Sequence, residues 1–242
     1  MKEKVKKPSF GLIGGTGNFG RFVRRIISPW ASAVVWSRRL GDESFKKILN
    51  EKIIVFSIPA HALKDVLLLL KGKIKKDVVL VDLSSVKIFP EKIIHKYFPE
   101  NPFLSLHPLF GPESAKNGVK DLPVIVCKKG NNKIINCIIK LISEKLKVKL
   151  INMTAEEHDK QMAYVQGLSH FISAGLKRLN LPKLDLRTKS FDHLMQMYKI
   201  LHKSTDDLFK TIEKANPYAK KIRKSFLNIL FSIDKELNGR KR

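Results

Sequence analysis

The chain has 242 residues, is 43% hydrophobic, and carries 47 Lys and Arg against 22 Asp and Glu, a formal charge of +25. That is enough apolar chain for one large or two modest domains with a substantial core. Its longest greasy run, Val66 to Leu70, is too short to span a bilayer, and its two cysteines, Cys127 and Cys137, fit neither a disulfide framework nor a metal pattern.

The basic start, MKEKVKKP, is not followed by an apolar segment resembling a signal peptide, so a reducing cytoplasm is the expected setting. A nucleic-acid binder would draw its affinity from phosphate neutralisation. Here the lysines run along the whole chain instead of forming one patch, and no nucleic-acid motif appears. The charge therefore reads as compositional, nucleic acid is not an expected partner, and the positive field can still attract an anionic substrate.

Taken in order, Phe10 to Ile13 is an apolar strand that runs into a glycine cluster, and Arg21 to Ile27 leaves it with helical spacing. Gly15, Gly17 and Gly20 fit G-x-G-x-x-G: a tight turn, a close approach to pyrophosphate, and helix-on-strand packing. The following helix aims free N–H groups and its positive dipole end at the phosphates. Gly15, Thr16, Gly17, Asn18, Phe19 and Gly20 are thus the candidate dinucleotide loop; the competing reading is a glycine turn kept only for its shape.

Ala33 to Trp36 reads as a second strand ending in Ser37-Arg38-Arg39. NAD-specific sites place an acid at this corner for the ribose hydroxyls. A hydroxyl and two arginines instead suit a 2′-phosphate, so the expected cofactor is NADP in preference to NAD.

Ile53 to Pro59 is a third, buried strand, and Ser57, Ile58, Pro59 and Ala60 turn out of its carboxyl end, where cofactor contacts gather in a parallel sheet. A helix over Ala62 to Lys71 follows, then strands at Val78 to Asp82, Phe103 to Leu106, Val124 to Cys127 and Val148 to Ile151, with a helix over Ile134 to Leu146. This alternation implies a parallel sheet covered on both faces.

At Thr154 the pattern changes. Thr154-Ala155-Glu156-Glu157 is a capping box opening a long helix to about Leu179, with an apolar stripe at Met162, Val165, Ile172, Leu176 and Leu179. Helical stretches over Ser190 to Ala215 and Tyr218 to Leu237 complete the chain. The expected architecture is a Rossmann-type doubly wound parallel sheet over residues 8–152, followed by an all-helical domain over 153–242 that buries its stripes against a second copy, as a homodimer.

Three polar groups sit where chemistry is favoured. Ser85 and His107 each follow a strand's carboxyl end, and His107, followed by Pro108, is expected in a loop. His170 lies on the long helix, on the face of Gln166 one turn earlier. A histidine titrating near neutrality can accept a proton.

Gly14 to Gly20, then Leu83-Ser84-Ser85-Val86-Lys87, then Leu106-His107-Pro108-Leu109-Phe110-Gly111-Pro112, then Glu157-His158-Asp159 and Ser169-His170, together resemble the prephenate/arogenate dehydrogenase family of tyrosine biosynthesis. The likeness spans residues 10 to about 180 in order, its specific part being H-P-x-x-G after S-V-K. It implies a Rossmann domain with a helical dimerisation domain and an oxidative decarboxylation, here by an NADP-preferring prephenate dehydrogenase with arogenate as the alternative substrate. By this similarity His107 draws off the substrate's C4 hydroxyl proton, Ser85 orients hydroxyl and imidazole, and His170 lines the substrate pocket; Gln166, on the same helix face, is a further substrate-binding candidate. The family's helical arginine for the substrate carboxylate has no match between Phe191 and Leu208; Lys199, Arg187 and His202 are the candidates. A non-catalytic NADP- or nucleic-acid-binding protein is the alternative from another class.

Overall fold

A computed structural model describes residues 7–239; the basic start, residues 1–6, and residues 240–242 lie outside the described part. The chain divides into two compact units, Met1–Ala155 and Glu156–Arg242.

The first unit is the expected Rossmann-type α/β layer. Strands β1 (Ser9–Ile13), β2 (Ser32–Trp36), β3 (Ile53–Phe56), β4 (Val79–Asp82), β5 (Phe103–Pro108), β6 (Pro123–Lys129) and β7 (Lys149–Asn152) form one sheet in the order β2-β1-β3-β4-β5-β6-β7. Helices α1 (Asn18–Ile27), α2 (Gly41–Leu49), α3 (Ala60–Leu70), α4 (Ile88–Tyr97) and α5 (Lys133–Lys140) connect them.

Because side chains alternate along a strand, each apolar strand feeds two cores. Leu12, Val79, Val81, Leu104 and Leu106 face Phe22 of α1 and Ile135 of α5. Ile13, Leu80 and Phe103 face Ile48 of α2, Leu63 and Leu67 of α3 and Ile94 of α4. Strands buried on both sides read as continuous apolar runs, which is why the sequence marks them so plainly.

Three details depart from expectation. First, β6 runs antiparallel to β5, and β7 then runs parallel to β6. A parallel return needs a crossover, usually helical, and residues 109–122 hold only turns. Second, β5 continues two residues further than the apolar pattern indicates. His107 is therefore a buried strand residue opposite Ile125, not a loop residue. Third, α2 and α4 fill stretches where no helix was expected. The pairing of Ser105 with Lys128 and of Leu106 with Val126 leaves Cys127 as the extra residue of a β-bulge.

The second unit is all helical: α6 (Ala155–Met162), α7 (Ser169–Leu179), α8 (Lys189–Leu201), α9 (Asp206–Lys210) and α10 (Ala219–Leu237). A wide i→i+5 turn over Ala163–Leu168 joins α6 to α7. Its extra residue shifts the phase of the expected stripe, so Met162 is buried while Val165 is 61% exposed. Thr188 and Thr205 cap α8 and α9 by accepting from the N–H groups of Phe191 and Leu208. At the other end of the unit, Asn216 donates to the Asp159 carbonyl at 2.8 Å and accepts from the Tyr218 N–H at 2.9 Å. Among the described residues no helix is long and apolar enough to cross a membrane.

Candidate active site

In an open sheet ligands bind beyond the carboxyl ends of the strands, where the strand order reverses; here that point lies between β1 and β3, which both pair with neighbours on either side. The glycine loop is built at this point. Gly14, not Gly15, makes the tight turn: it has φ +86°, and a Cβ there would lie 2.2 Å from the Ser57 carbonyl oxygen. Gly15 packs on Val35, and Gly17 receives α1 as its N-cap without any side-chain cap. Gly20 has the role expected of the third glycine, since its Cβ would sit 2.3 Å from the Gly14 carbonyl oxygen and 2.7 Å from Gly15 Cα. The first turn of α1 carries no acid, so its free N–H groups are left for an anion. Arg21 donates to Asn18 Oδ1 at 2.6 Å and to the Thr16 carbonyl, bracing the loop from its exposed side, and Phe19 packs against Phe22.

Around this loop the structure collects the other expected cofactor residues of the first unit. Gly14 N–H donates to the Trp36 carbonyl at 2.9 Å, immediately before Ser37, and Ser57 N–H donates to the Ile13 carbonyl at 2.9 Å. The Ser37 and Ser57 hydroxyl oxygens are both buried without a hydrogen-bond partner, and Ile58 and Pro59 lead from Ser57 into α3. Two orphaned hydroxyls, a cradle that Cβ atoms would fill and an uncapped helix terminus fit a dinucleotide. Arg38 is partly committed elsewhere: it pairs with Asp65 of α3 at 3.0 Å, with both side chains mostly exposed. Arg39 is exposed in the same short turn.

The second part of the site lies at the ends of β4 and β5. Asp82, 1% exposed, ends β4 and anchors the loop that carries Ser85. Its Oδ1 accepts from the Ser84 N–H at 3.1 Å, and its Oδ2 accepts from the Ser84 hydroxyl at 2.9 Å and from Lys87 Nζ. Lys87 is wholly buried and also donates to the Leu106 carbonyl at 2.7 Å. That carbonyl belongs to the peptide joining Leu106 to His107. The Ser85 loop and the His107 strand are thus tied by one buried ion pair. Nearby Glu91 on α4 has its carboxyl pushed up by burial, with Ser105 and Lys87 pulling against that rise. Lys87 and Gly14 stood in the motifs of the resemblance without a role of their own, and Asp82 was read only as the end of a strand. The signal for the pair was a charged residue closing the apolar run Val78 to Val81.

In the second unit, His170 is buried in the first turn of α7, and burial lowers its pKa below the usual imidazole value. Gln166 lies in the wide turn, its Oε1 buried without a partner. His158 and Asp159 are buried and face each other at 2.8 Å. Of the candidates for carboxylate capture, Lys199 is exposed on α8, Arg187 pairs with Asp192 at 2.6 Å, and His202 stacks on Tyr198. Arg223 of α10, which sequence reasoning passed over, donates to the carbonyl and carboxylate of Glu213.

Fold and loop define a dinucleotide-binding α/β protein with a helical second unit. Residues 35–152 match the family model described as prephenate dehydrogenase, nucleotide-binding domain. Arogenate dehydrogenase 2, chloroplastic, of Arabidopsis thaliana is 29% identical over 99% of this chain and 74% of its own length. Arogenate dehydrogenase 1, chloroplastic, of the same plant is 25% identical over 94% of this chain, which spans only 39% of that relative. In fold, the chain is similar to the crystal structure of Aquifex aeolicus prephenate dehydrogenase in complex with hydroxyphenyl propionate and NAD+, with a TM-score of 0.60 and 19% identity over 98% of this chain and 94% of that one. Residues 35–152 thus match the nucleotide-binding domain of prephenate dehydrogenases, and the chain as a whole is similar to arogenate and prephenate dehydrogenases.

Two outcomes test this geometry. A Gly20→Ala chain must push α1 off backbone atoms of the loop, so its stability falls by about 1–3 kcal/mol and its affinity for a dinucleotide drops with it, measured by thermal melting and fluorescence titration. His170 is held neutral, so the unfolded chain takes up its proton near the ordinary value of about 6.5 while the native chain does so only at lower pH. Stability is therefore lost as pH falls below that point, and the melting temperature of His170→Gln declines less from about pH 7 to about pH 5 than that of the wild type.

Proposed function

We propose that the chain is an NADP-preferring prephenate dehydrogenase, with arogenate as the alternative substrate. The observation that carries this reading is His107, buried at the end of β5 and tied through Lys87 to the loop of Ser85.

With its pyrophosphate held by the glycine loop, the dinucleotide would supply the acceptor for the C4 hydrogen of the substrate, which leaves as hydride. Its departure builds positive charge on C4, so a neutral base at the C4 hydroxyl is worth most in the transition state. His107 takes that hydroxyl proton, with Ser85 orienting hydroxyl and imidazole. The ring carboxylate leaves as CO2, its bonding electrons complete the aromatic ring, and the imidazolium returns the proton to the phenolate oxygen. In the second unit, His170 and Gln166 are assigned to the substrate, and Lys199 is assigned to its carboxylate as a point charge without the forked geometry of arginine.

For the cofactor, Gly15, Thr16, Gly17, Asn18, Phe19 and Gly20 with α1 would hold the pyrophosphate, and Ser57, Ile58 and Pro59 the cofactor at the end of β3. Ser37 and Arg39, with Arg38 where it is not held by Asp65, would take the 2′-phosphate. An orphaned hydroxyl in a corner without an acid supports NADP over NAD. For assembly, α10 carries exposed Ile229, Phe231 and Leu237, Phe231 being 72% exposed, and a second copy of the chain is the proposed cover.

The deciding assay follows reduced-cofactor formation with prephenate and with arogenate, each against NADP and NAD. Turnover is expected with prephenate and with a higher kcat/KM for NADP; equal or higher kcat/KM with NAD rejects the cofactor preference. His107→Asn should lower kcat by on the order of 10² or more with cofactor binding nearly intact, and wild-type turnover in that variant rejects the mechanism. Sedimentation of the wild type as a dimer and of Phe231→Glu as a monomer tests the assembly.

A further inference from the structure

We infer that Asp82 is a positioning residue, whose carboxylate sets the distance between Ser85 and His107 through Ser84, Lys87 and the Leu106 carbonyl; the inference rests on the dehydrogenase reading only for its catalytic consequence. Ser85 and His107 sit on different strand ends, and nothing in the sheet ladder fixes a loop residue against its neighbouring strand. Asp82 supplies that link. One oxygen holds the Ser84 N–H, and the other holds both the Ser84 hydroxyl and Lys87 Nζ.

Those bonds pin the residues on both sides of Ser85, because the single Ser84 hydroxyl proton lies within reach of the Val86 carbonyl at 2.8 Å as well as of Asp82 Oδ2 at 2.9 Å, a shared contact that closes the turn around Ser85. Lys87 carries the constraint across to β5 by donating to the Leu106 carbonyl, one bond before the His107 nitrogen. The ammonium has no route to solvent, being wholly buried, and the carboxylate that faces it is 1% exposed. With both ends of the chain of bonds buried, a loss at Asp82 is transmitted, not absorbed by water. The other charged group set beside the pair is Glu91 on α4, whose surroundings include Ser105, Lys87, Lys128 and Asp82.

An ordinary core ion pair would support folding alone, and the test separates the two roles. Asp82→Asn strands the Lys87 charge and should lower both the melting temperature and kcat. The double variant Asp82→Asn with Lys87→Met removes the stranded charge, so the melting temperature should return toward that of the wild type. Its kcat should stay at least about tenfold low, since a misplacement on the order of 1 Å is enough for such a loss, with the NADP dissociation constant unchanged. Hydrogen exchange in the double variant should be faster over residues 83–88 and 106–108 than in the wild type. Ser84→Ala, which deletes only the hydroxyl bonds and carries little folding risk, should lower kcat by about threefold with unchanged cofactor affinity, in the direction set by the same misplacement. A double variant with wild-type melting temperature, kcat and exchange overturns the inference. Should the wild type turn over neither prephenate nor arogenate, the functional reading fails by itself. Faster exchange over the two segments then still supports the link, and unchanged exchange overturns it.

Discussion

Taking a carboxylate and an ammonium out of water costs several kcal/mol per ion, and their attraction repays it only when geometry is good and the remaining donors and acceptors are satisfied. The Asp82–Lys87 pair meets that condition, since the carboxylate also accepts from Ser84 and the ammonium also donates to Leu106. A leucine and a methionine in the same places would fill the volume without that cost. What an apolar pair lacks is direction. The bonds here hold one loop and one strand in a single register at the carboxyl ends of β4 and β5, where the loop after β4 leaves the ladder.

The same logic explains the glycine loop at the neighbouring strand end. Gly14 and Gly20 bring backbone onto backbone at distances that no side chain tolerates, so the first turn of α1 is set against β1 and β3 by exclusion of atoms. One half of the site is positioned by charge and the other by the absence of Cβ. Both devices act where the strands stop, and beside the glycine loop the Ser37 and Ser57 hydroxyls are left unsatisfied by the protein itself.

Much of this was legible in the sequence because the physics is local. Strands buried on both faces need unbroken apolar runs, so Ile53 to Phe56 and Val78 to Val81 announced themselves. The glycine spacing announced the loop, and the absence of strand patterning after residue 152 announced a helical unit. What was not legible depended on partners remote in sequence or on local phase. Pro108 suggested that His107 sits in a loop, yet Pro108 takes the last place of β5, where pairing with Val124 needs no further donor. The direction of β6 follows from a connection that holds no helix, a negative feature that alternation counting overlooks. The wide turn at Ala163–Leu168 has no sequence mark, and it moved Val165 out of the stripe to which its spacing assigned it. The tight-turn role fell to Gly14 because the loop opens one residue earlier than the G-x-G-x-x-G count.

The strong positive charge takes a different meaning once the corner after β2 is seen in three dimensions. If charge alone selected the cofactor, Arg38 and Arg39 would count equally, but Arg38 is drawn toward Asp65 of α3, in an exposed pair of the kind worth at most about 1 kcal/mol. So weak a tether yields to a phosphate that offers forked, charge-assisted bonds. Asp65 thereby holds the guanidinium near the corner at small cost and competes little with an anion that arrives there. The diffuse charge of the remaining lysines acts over a Debye length and favours the approach of any anion. Selection among anions needs short, directional contacts, and the groups this corner has to offer for them are a buried hydroxyl and guanidinium groups on a turn three residues long.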